Sequence, residues 1–345
     1  MRLFYYKTTV PSQNFGDELN PWLWPRLLPT LDTGLAQTGL AQTGLDQTRE
    51  VVLVGIGTML NNTLLGDTLP SWVKQARKII FFSTGAGYGT SSKVNRPPHW
   101  AIYCVRGPLS ARRLKLPQSL AITDGAALLR RFFKPVSVAE RSPQFGYMPH
   151  FRHGSPHILK AACQQAGLRF IDPASPVEDI ITQISRSRGV ISEAMHGAIV
   201  ADTMRVPWLP VRTSPKILPF KWQDWCASLN LPYRYHLLRG TKSLSLRECL
   251  YPLKPYLQRQ ASMANLVEGI TLNNLSYQSF SYSLLSDKRR VKDAYKKTIN
   301  RLSKQLVSTT QATFYLSSDS VLELQISRLE ERLQKLSQDL KNQSL

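Results

Sequence analysis

Along the first 135 residues, the apolar positions come in short unbroken runs at 51–54, 79–82 and 101–105. Runs of this length without polar alternation predict strands of a parallel sheet covered on both faces. A run at 3–6 precedes them and another at 121–123 follows, ending at Asp124-Gly125. The three central runs give way to small or polar residues: Gly55-Ile56-Gly57-Thr58, Ser83-Thr84-Gly85-Ala86-Gly87 and Arg106-Gly107-Pro108. Ligands of open α/β sheets sit at the carboxyl ends of strands, so these loops are expected to line one crevice. Helices are predicted over 18–28, interrupted by prolines, and over 109–113, with Pro108 in the first turn.

A second series repeats the alternation. Runs at 145–148, 168–171, 189–191 and 208–211 predict strands, separated by helical patterns at about 156–166, 177–186 and 194–204. Ser175 and Glu178 have the spacing of a capping box opening the second of these helices. The pattern predicts an α/β fold of two Rossmann-like domains facing across a cleft, over 1–135 and 136–240, with a helical extension over 241–345. Residues 33–48 spell TGLAQ, TGLAQ, TGLDQ, a repeat without a core-forming period, read as a surface insertion without function. In the extension, Leu322, Ile326, Leu329, Leu333, Leu336 and Leu340 step by four and three alternately, a heptad seam. A seam this short more often docks than stands alone as a coiled coil, although it also offers a homo-oligomer contact. Removing it is expected to leave the chemistry of the cleft intact.

Composition narrows the partners. No apolar run approaches the ~18 residues that a membrane span needs. The amino-terminal MRLFYYKTT runs into a strand pattern without a signal peptide's cleavage region, so a cytoplasmic protein is expected. The four cysteines lie far apart, with no CxxC pair and no histidine at ligand spacing. That pattern predicts neither a metal site nor a disulfide framework, but reduced and mostly buried thiols. Lys and Arg number 44 against 23 Asp and Glu, a formal charge of +21. Such a balance attracts polyanions. The basic residues are scattered, with no zinc-finger spacing or RNA-binding aromatic signature, so nucleic acid is not the expected partner. An anionic membrane surface or an anionic substrate fits better.

Of the six histidines, His196 stands apart. A predicted strand ends at 191, turns through Ser192-Glu193 and enters a helix with His196 in its first turn. The imidazole is thereby set beside backbone N–H donors and the positive end of the helix dipole, where an anion binds. Such a placement suits acid–base work at neutral pH. Arg106, after a strand and before a proline-started helix, suits a bidentate grip on phosphate or carboxylate, with an interdomain salt bridge as the equal alternative. Asp17, in Asn-Phe-Gly-Asp, could accept a proton from a substrate hydroxyl, or cap the helix behind it, the commoner use. Gly55 and Gly57 do not complete a dinucleotide fingerprint, because position 60 is Leu60.

Taken in order, NFGDELNPWLW (14–24), GIGTML (55–60), STGAGYG (83–89), VRGPLSA (105–111), TDGAALL (123–129) and SEAMHGAIVADTMRVPWLPV (192–211) resemble the polysaccharide pyruvyl transferase family, in its exopolysaccharide branch of the succinoglycan type. The resemblance implies a GT-B-like fold and a transferase that uses phosphoenolpyruvate as donor substrate, with no cofactor. The acceptor would be a sugar diol of an exopolysaccharide or of its lipid-linked oligosaccharide precursor, and the product a cyclic pyruvate ketal. By position, the family's catalytic histidine falls on His196, and its phosphoenolpyruvate-binding arginine on Arg106, with Ser110 in the same motif. The same reading puts Gly57, Thr58, Ser192, His150 and Arg152 around the donor. Many members have Arg-Leu-His where this chain has Ala194-Met195-His196, so Arg152, Arg212 or Lys216 would supply the missing cation. Glu193 would orient the histidine or act as a second acid–base group. A lipid-linked acceptor would explain the positive charge through peripheral contact with the inner face of the cytoplasmic membrane. Two other classes compete: a sugar-nucleotide glycosyltransferase of the same architecture, and a non-catalytic adaptor using the basic surface and the heptads.

Overall fold

Strands β1 (Arg2–Phe4), β2 (Val51–Val54), β3 (Lys78–Phe82) and β4 (Trp100–Cys104) lie side by side in chain order, all parallel. The structure, a computed structural model, describes residues 1–6, 13–29, 51–61, 69–87, 97–152, 156–213, 217–239 and 288–342. The 33–48 repeat, His153, Lys216 and Cys249 lie outside the described residues. The apolar runs form strands because both faces of the sheet are covered. Val52, Val54, Ile79 and Phe81 face one apolar cluster, while Leu53, Ile80, Phe82 and Cys104 face another. Residues 121–123 do not add a full strand: Ala121 makes a single parallel bridge to Val105.

The second sheet is also parallel, with β5 (Gly146–Met148), β6 (Arg169–Phe170), β7 (Val190–Ser192), β8 (Trp208–Arg212) and β9 (His236–Leu237) in the order β6-β5-β7-β8-β9. The order reverses between β5 and β7, and a crevice at such a switch point is where open α/β sheets bind ligands. Helices α1 (Phe15–Leu27), α2 (Ser71–Lys74), α3 (Pro108–Arg113), α4 (Pro156–Ala166), α5 (Val177–Ser185), α6 (Met195–Thr203) and α7 (Pro219–Ser228) connect the strands. The capping box expected of Ser175 and Glu178 does not form. Pro176 is the N-cap of α5, which shifts the frame by one, and Glu178 instead accepts from the Trp22 indole and lies 3.7 Å from Arg26.

One apolar cluster joins the two sheets. It runs from Leu53, Ile80 and Phe82 through Phe15, Leu19 and Trp24 of α1 and Ala198 and Ile199 of α6 to Met148, Val190 and Trp208 of the second sheet. Helix α1 crosses this core despite Pro21 and Pro25. Proline at 21 has no N–H for the carbonyl of Asp17. The buried Asn20 side chain donates to that carbonyl at 3.2 Å, and to Ile56 O at 3.1 Å.

The carboxyl-terminal helices close the fold. Helix α8 (Lys288–Thr309) lays Ile299, Leu302 and Leu306 over Leu159 and Cys163 of α4. Tyr315 then pairs antiparallel with Trp208, and Asp202 of α6 accepts from the Trp208 indole at 2.8 Å and from Ser317 N at 2.9 Å. Helix α9 (Asp319–Lys341), capped by Ser318, buries Leu322, Ile326, Leu329, Leu333 and Leu336 in the shared core. The heptad seam is therefore occupied by the chain's own fold, which corrects its reading as a homo-oligomer contact: the apolar stripe already faces inward. Arg130–Glu323 and Arg131–Glu330 ion pairs and the Tyr103–Asp339 hydrogen bond flank it.

This packing also reverses the expectation that the helix is dispensable. Leu329 is fully buried, so Leu329→Ala is expected to cost about 2–5 kcal/mol through lost transfer energy and the cavity left behind. A chain ending at residue 318 should lose its cooperative thermal transition. An unchanged Tm in either variant would show that the helix merely rests on the surface.

Candidate functional site

Arg106 is wholly buried just beyond the end of β4. Its Nε donates to Asp224 Oδ2 at 3.1 Å, Nη1 to Gly57 O and Thr58 Oγ1 at 3.3 and 3.2 Å, and Nη2 to Ala86 O at 3.0 Å. All three nitrogens are thus engaged by protein. Asp224 lies in α7, and its carboxylate also accepts from the Ser110 hydroxyl and from Ser110 N at 2.8 Å. Gly107 is required here: a Cβ would fall 2.2 Å from Asp224 O. Of the two roles weighed for Arg106, the structure holds the salt bridge, which joins the carboxyl-end loops of the first sheet to the helix between β8 and β9 of the second.

Glu193 plays a similar part at the switch point of the second sheet. It is buried, and its carboxylate accepts from His150 N at 3.1 Å, from Thr213 N at 2.7 Å and from the Thr213 hydroxyl. Its own N–H donates to Met148 O. One carboxylate therefore fastens the carboxyl ends of β5, β7 and β8. The Ser192 hydroxyl turns back to donate to Ala194 O at 2.7 Å. The His150 ring packs at a tilt against Phe151 and accepts at Nδ1 from Arg152 N, while the exposed Arg152 guanidinium lies over the Phe151 ring. Arg212 rests on Tyr235.

His196 occupies the first turn of α6, behind the N-cap residue Ala194. Its imidazole is wedged between α1 and the turn at Asp124. A Cβ on Gly16 would fall 2.0 Å from Nδ1, so no residue but glycine fits there. On the other side, Nε2 lies 3.6 Å from Oδ2 of the buried Asp124. Asp17 accepts from the Asn14 amide at 2.7 Å in the first turn of α1. Burial pushes its carboxyl up from 3.8 to about 6, against the opposing pull of Asn14, His196 and Lys221. Lys221 lies in the first turn of α7, with its Cγ 3.7 Å from the position of a Cβ on Gly87.

The fold thus brings together His196 and Asp17, and adds Asp124, Gly16 and Lys221, which sequence reasoning did not select. Asp124 was visible as the residue ending the 121–123 run, but nothing local marked it as facing His196, and Lys221 carried no signal of its influence on Asp17. Glu193, Arg106, Ser110, Gly57 and Thr58 serve as ties between loops and strand ends. His150 and Arg152 sit at the end of β5.

The Asp17 shift has a testable sign. A carboxyl with a raised folded-state value favours the protonated fold, so its contribution is present below 3.8 and is lost as pH rises to about 6. Asp17→Asn should remove that fall from a plot of Tm against pH and be more stable than the parent chain at pH ~7. The same downward slope in the variant would show that Asp17 does not carry the shift.

Residues 20–215 match the family described as polysaccharide pyruvyl transferase. The chain is also 37% identical over 237 residues to the succinoglycan biosynthesis protein ExoV of Rhizobium meliloti (strain 1021), a match covering 68% of this chain and 66% of that protein. The chain belongs to the polysaccharide pyruvyl transferase family.

Proposed function

We propose that this protein transfers pyruvate from phosphoenolpyruvate to a sugar diol of an exopolysaccharide, or of its lipid-linked precursor, and closes a cyclic ketal. The observation that carries the reading is the placement of His196 at the start of α6, with Nδ1 over Gly16 beside Asp17 and Nε2 3.6 Å from Asp124 Oδ2, while burial raises the Asp17 carboxyl to about 6. Family membership and the likeness to a succinoglycan biosynthesis protein support the choice of donor and acceptor class. In this reading the two sheets act as a GT-B-like pair, with the donor held between their carboxyl edges.

The chemistry needs a proton donor, a proton acceptor and positive charge. His196 donates a proton to the methylene carbon of phosphoenolpyruvate, and C2 becomes electrophilic. A sugar hydroxyl attacks C2 as Asp17 takes its proton, the phosphate leaves, and the second hydroxyl closes the ketal as its proton passes to His196, which restores the acid. General acid and base groups each contribute about 10²–10⁴-fold to such steps. Lys221, whose charge acts on Asp17, supplies charge for the phosphate in place of the arginine absent at Ala194. Arg106 and Ser110 act by holding the Gly57-Thr58 and Ala86 loops in shape, and Glu193 and Ser192 by fixing the turn into α6.

The charge distribution supports a location for the acceptor. Helix α8 turns Lys296, Lys297, Arg301 and Lys304 to solvent, opposite its buried Ile299, Leu302 and Leu306. In this proposal, that face lies against an anionic leaflet or the phosphates of a lipid-linked glycan, each basic residue contributing about 1 kcal/mol.

The test is phosphate release from phosphoenolpyruvate with glycan acceptors presented free and in anionic vesicles. Turnover is expected with phosphoenolpyruvate alone as donor, to be abolished in His196→Ala at unchanged Tm, and to fall with added salt only when the acceptor is in vesicles. Full activity of His196→Ala, or thermal stabilisation by nucleotide sugars and not by phosphoenolpyruvate, would instead support glycosyl transfer or a non-catalytic role.

A further inference from the structure

Three buried side-chain atoms around the site have no hydrogen-bond partner among the described residues: His196 Nε2, Asp124 Oδ2 and Ser83 Oγ. They come from the start of α6, the turn after 121–123 and the turn after β3. Unsatisfied buried polar atoms are rare and costly, so a group of them at one place calls for a physical reason. Ser83 is moreover held at φ 60°, a left-handed conformation that non-glycine residues adopt reluctantly, with its hydroxyl against Gly125: a Cβ there would lie 2.3 Å from Oγ. The backbone is thus bent to bring a small polar wall up to Asp124.

Asp124 is built for one orientation. Its side chain is fully buried, and Oδ1 is fixed by accepting from Ala126 N at 3.1 Å, which leaves Oδ2 aimed at the imidazole. The 3.6 Å separation of Oδ2 and Nε2 is that of an ion pair, about 0.5 Å longer than a hydrogen bond. Catalytic contacts often shorten to that extent only when substrate is bound. On the opposite edge of the ring, Nδ1 lies over Gly16, next to Asp17.

We propose that Asp124 is the positioning residue for His196: its Oδ2 accepts the Nε2 proton, fixes the ring and its tautomer, and leaves Nδ1 to exchange protons with the substrate. When Nδ1–H protonates the donor's methylene carbon, the N–H pair returns to the ring. The product is a neutral imidazole still carrying Nε2–H toward a carboxylate that stays ionised. Orientation of an imidazole through its second nitrogen is a general device for fixing which nitrogen reacts.

The kinetic part of the test rests on the pyruvyl transfer reading, whereas the spectroscopic part does not. Asp124→Asn retains Oδ1, and with it the Ala126 contact, while replacing the acceptor Oδ2 with an NH₂ donor. With phosphoenolpyruvate as donor, the variant is expected to lose about 100-fold or more in kcat with KM changed by less than about twofold. In ¹⁵N spectra of the imidazole taken where the ring is neutral, the parent chain should show the Nε2–H tautomer and Asp124→Asn should lose it. A kcat within about threefold of the parent, or a parent chain in the Nδ1–H tautomer, overturns the proposal. If Asp124→Asn fails to fold, the parent spectrum decides alone. If the parent turns over no phosphoenolpyruvate, the functional reading fails and the tautomer still decides the dyad.

Discussion

The architecture turns on one buried ion pair. Arg106 and Asp224 are 118 residues apart in the chain, and both side chains are completely removed from solvent. Taking two charges out of water costs several kcal/mol per ion unless every remaining donor and acceptor is met. Here the requirement is met almost in full by Gly57 O, Thr58 Oγ1, Ala86 O and Ser110. Satisfying the arginine therefore fixes the loops after β2 and β3, and satisfying the aspartate fixes α3 against α7. Lys221 stands one turn before Asp224 on α7, so the same pair sets how far a cation can sit from Asp17.

The same device recurs twice. Glu193 gathers the ends of β5, β7 and β8 through backbone N–H groups, and Asp202 ties α6 to Trp208 and Ser317. Each is a carboxylate buried at the end or the start of an element and paid for in directional hydrogen bonds, so each specifies geometry more than it adds stability. Between these ties, the apolar core extends continuously from the first sheet to α9. The site is thus a small polar seam in an apolar interior. Burial of Asp17 there raises its carboxyl toward neutrality, the range in which proton exchange is useful.

Much of the fold was legible because buried parallel strands leave unbroken apolar runs. Val51–Val54 agrees to the residue, and β3, β4 and β8 agree within one. Local signals failed where tertiary contacts outweigh them. Pro21 did not end α1, because Asn20 takes over the lost contact, and Ser175 did not cap α5, because Glu178 is drawn to Trp22 and Arg26. The heptads were legible as a stripe, but not the surface that covers it. At the site, strand–turn–helix spacing marked His196, since that signal is local. Its neighbours were hidden: Asp124 and Gly16 reach it from two distant segments, Lys221 acts on Asp17 from a third, and a single sequence carries no trace of such pairings. Arg106 was legible either as a grip on phosphate or carboxylate or as one half of a salt bridge, and the partner the structure gives it is Asp224.

The claim that a protein-internal ion pair sets the site's geometry is tested most directly by Asp224→Asn, which leaves Arg106 and every residue around His196 in place. Turnover of phosphoenolpyruvate and thermal unfolding are measured on the same sample. Breaking one side of a fully buried pair should cost about 3–5 kcal/mol and take turnover down with it. An Asp224→Asn protein with unchanged Tm and full turnover would contradict the account, and would return Arg106 to the role of a free anion ligand.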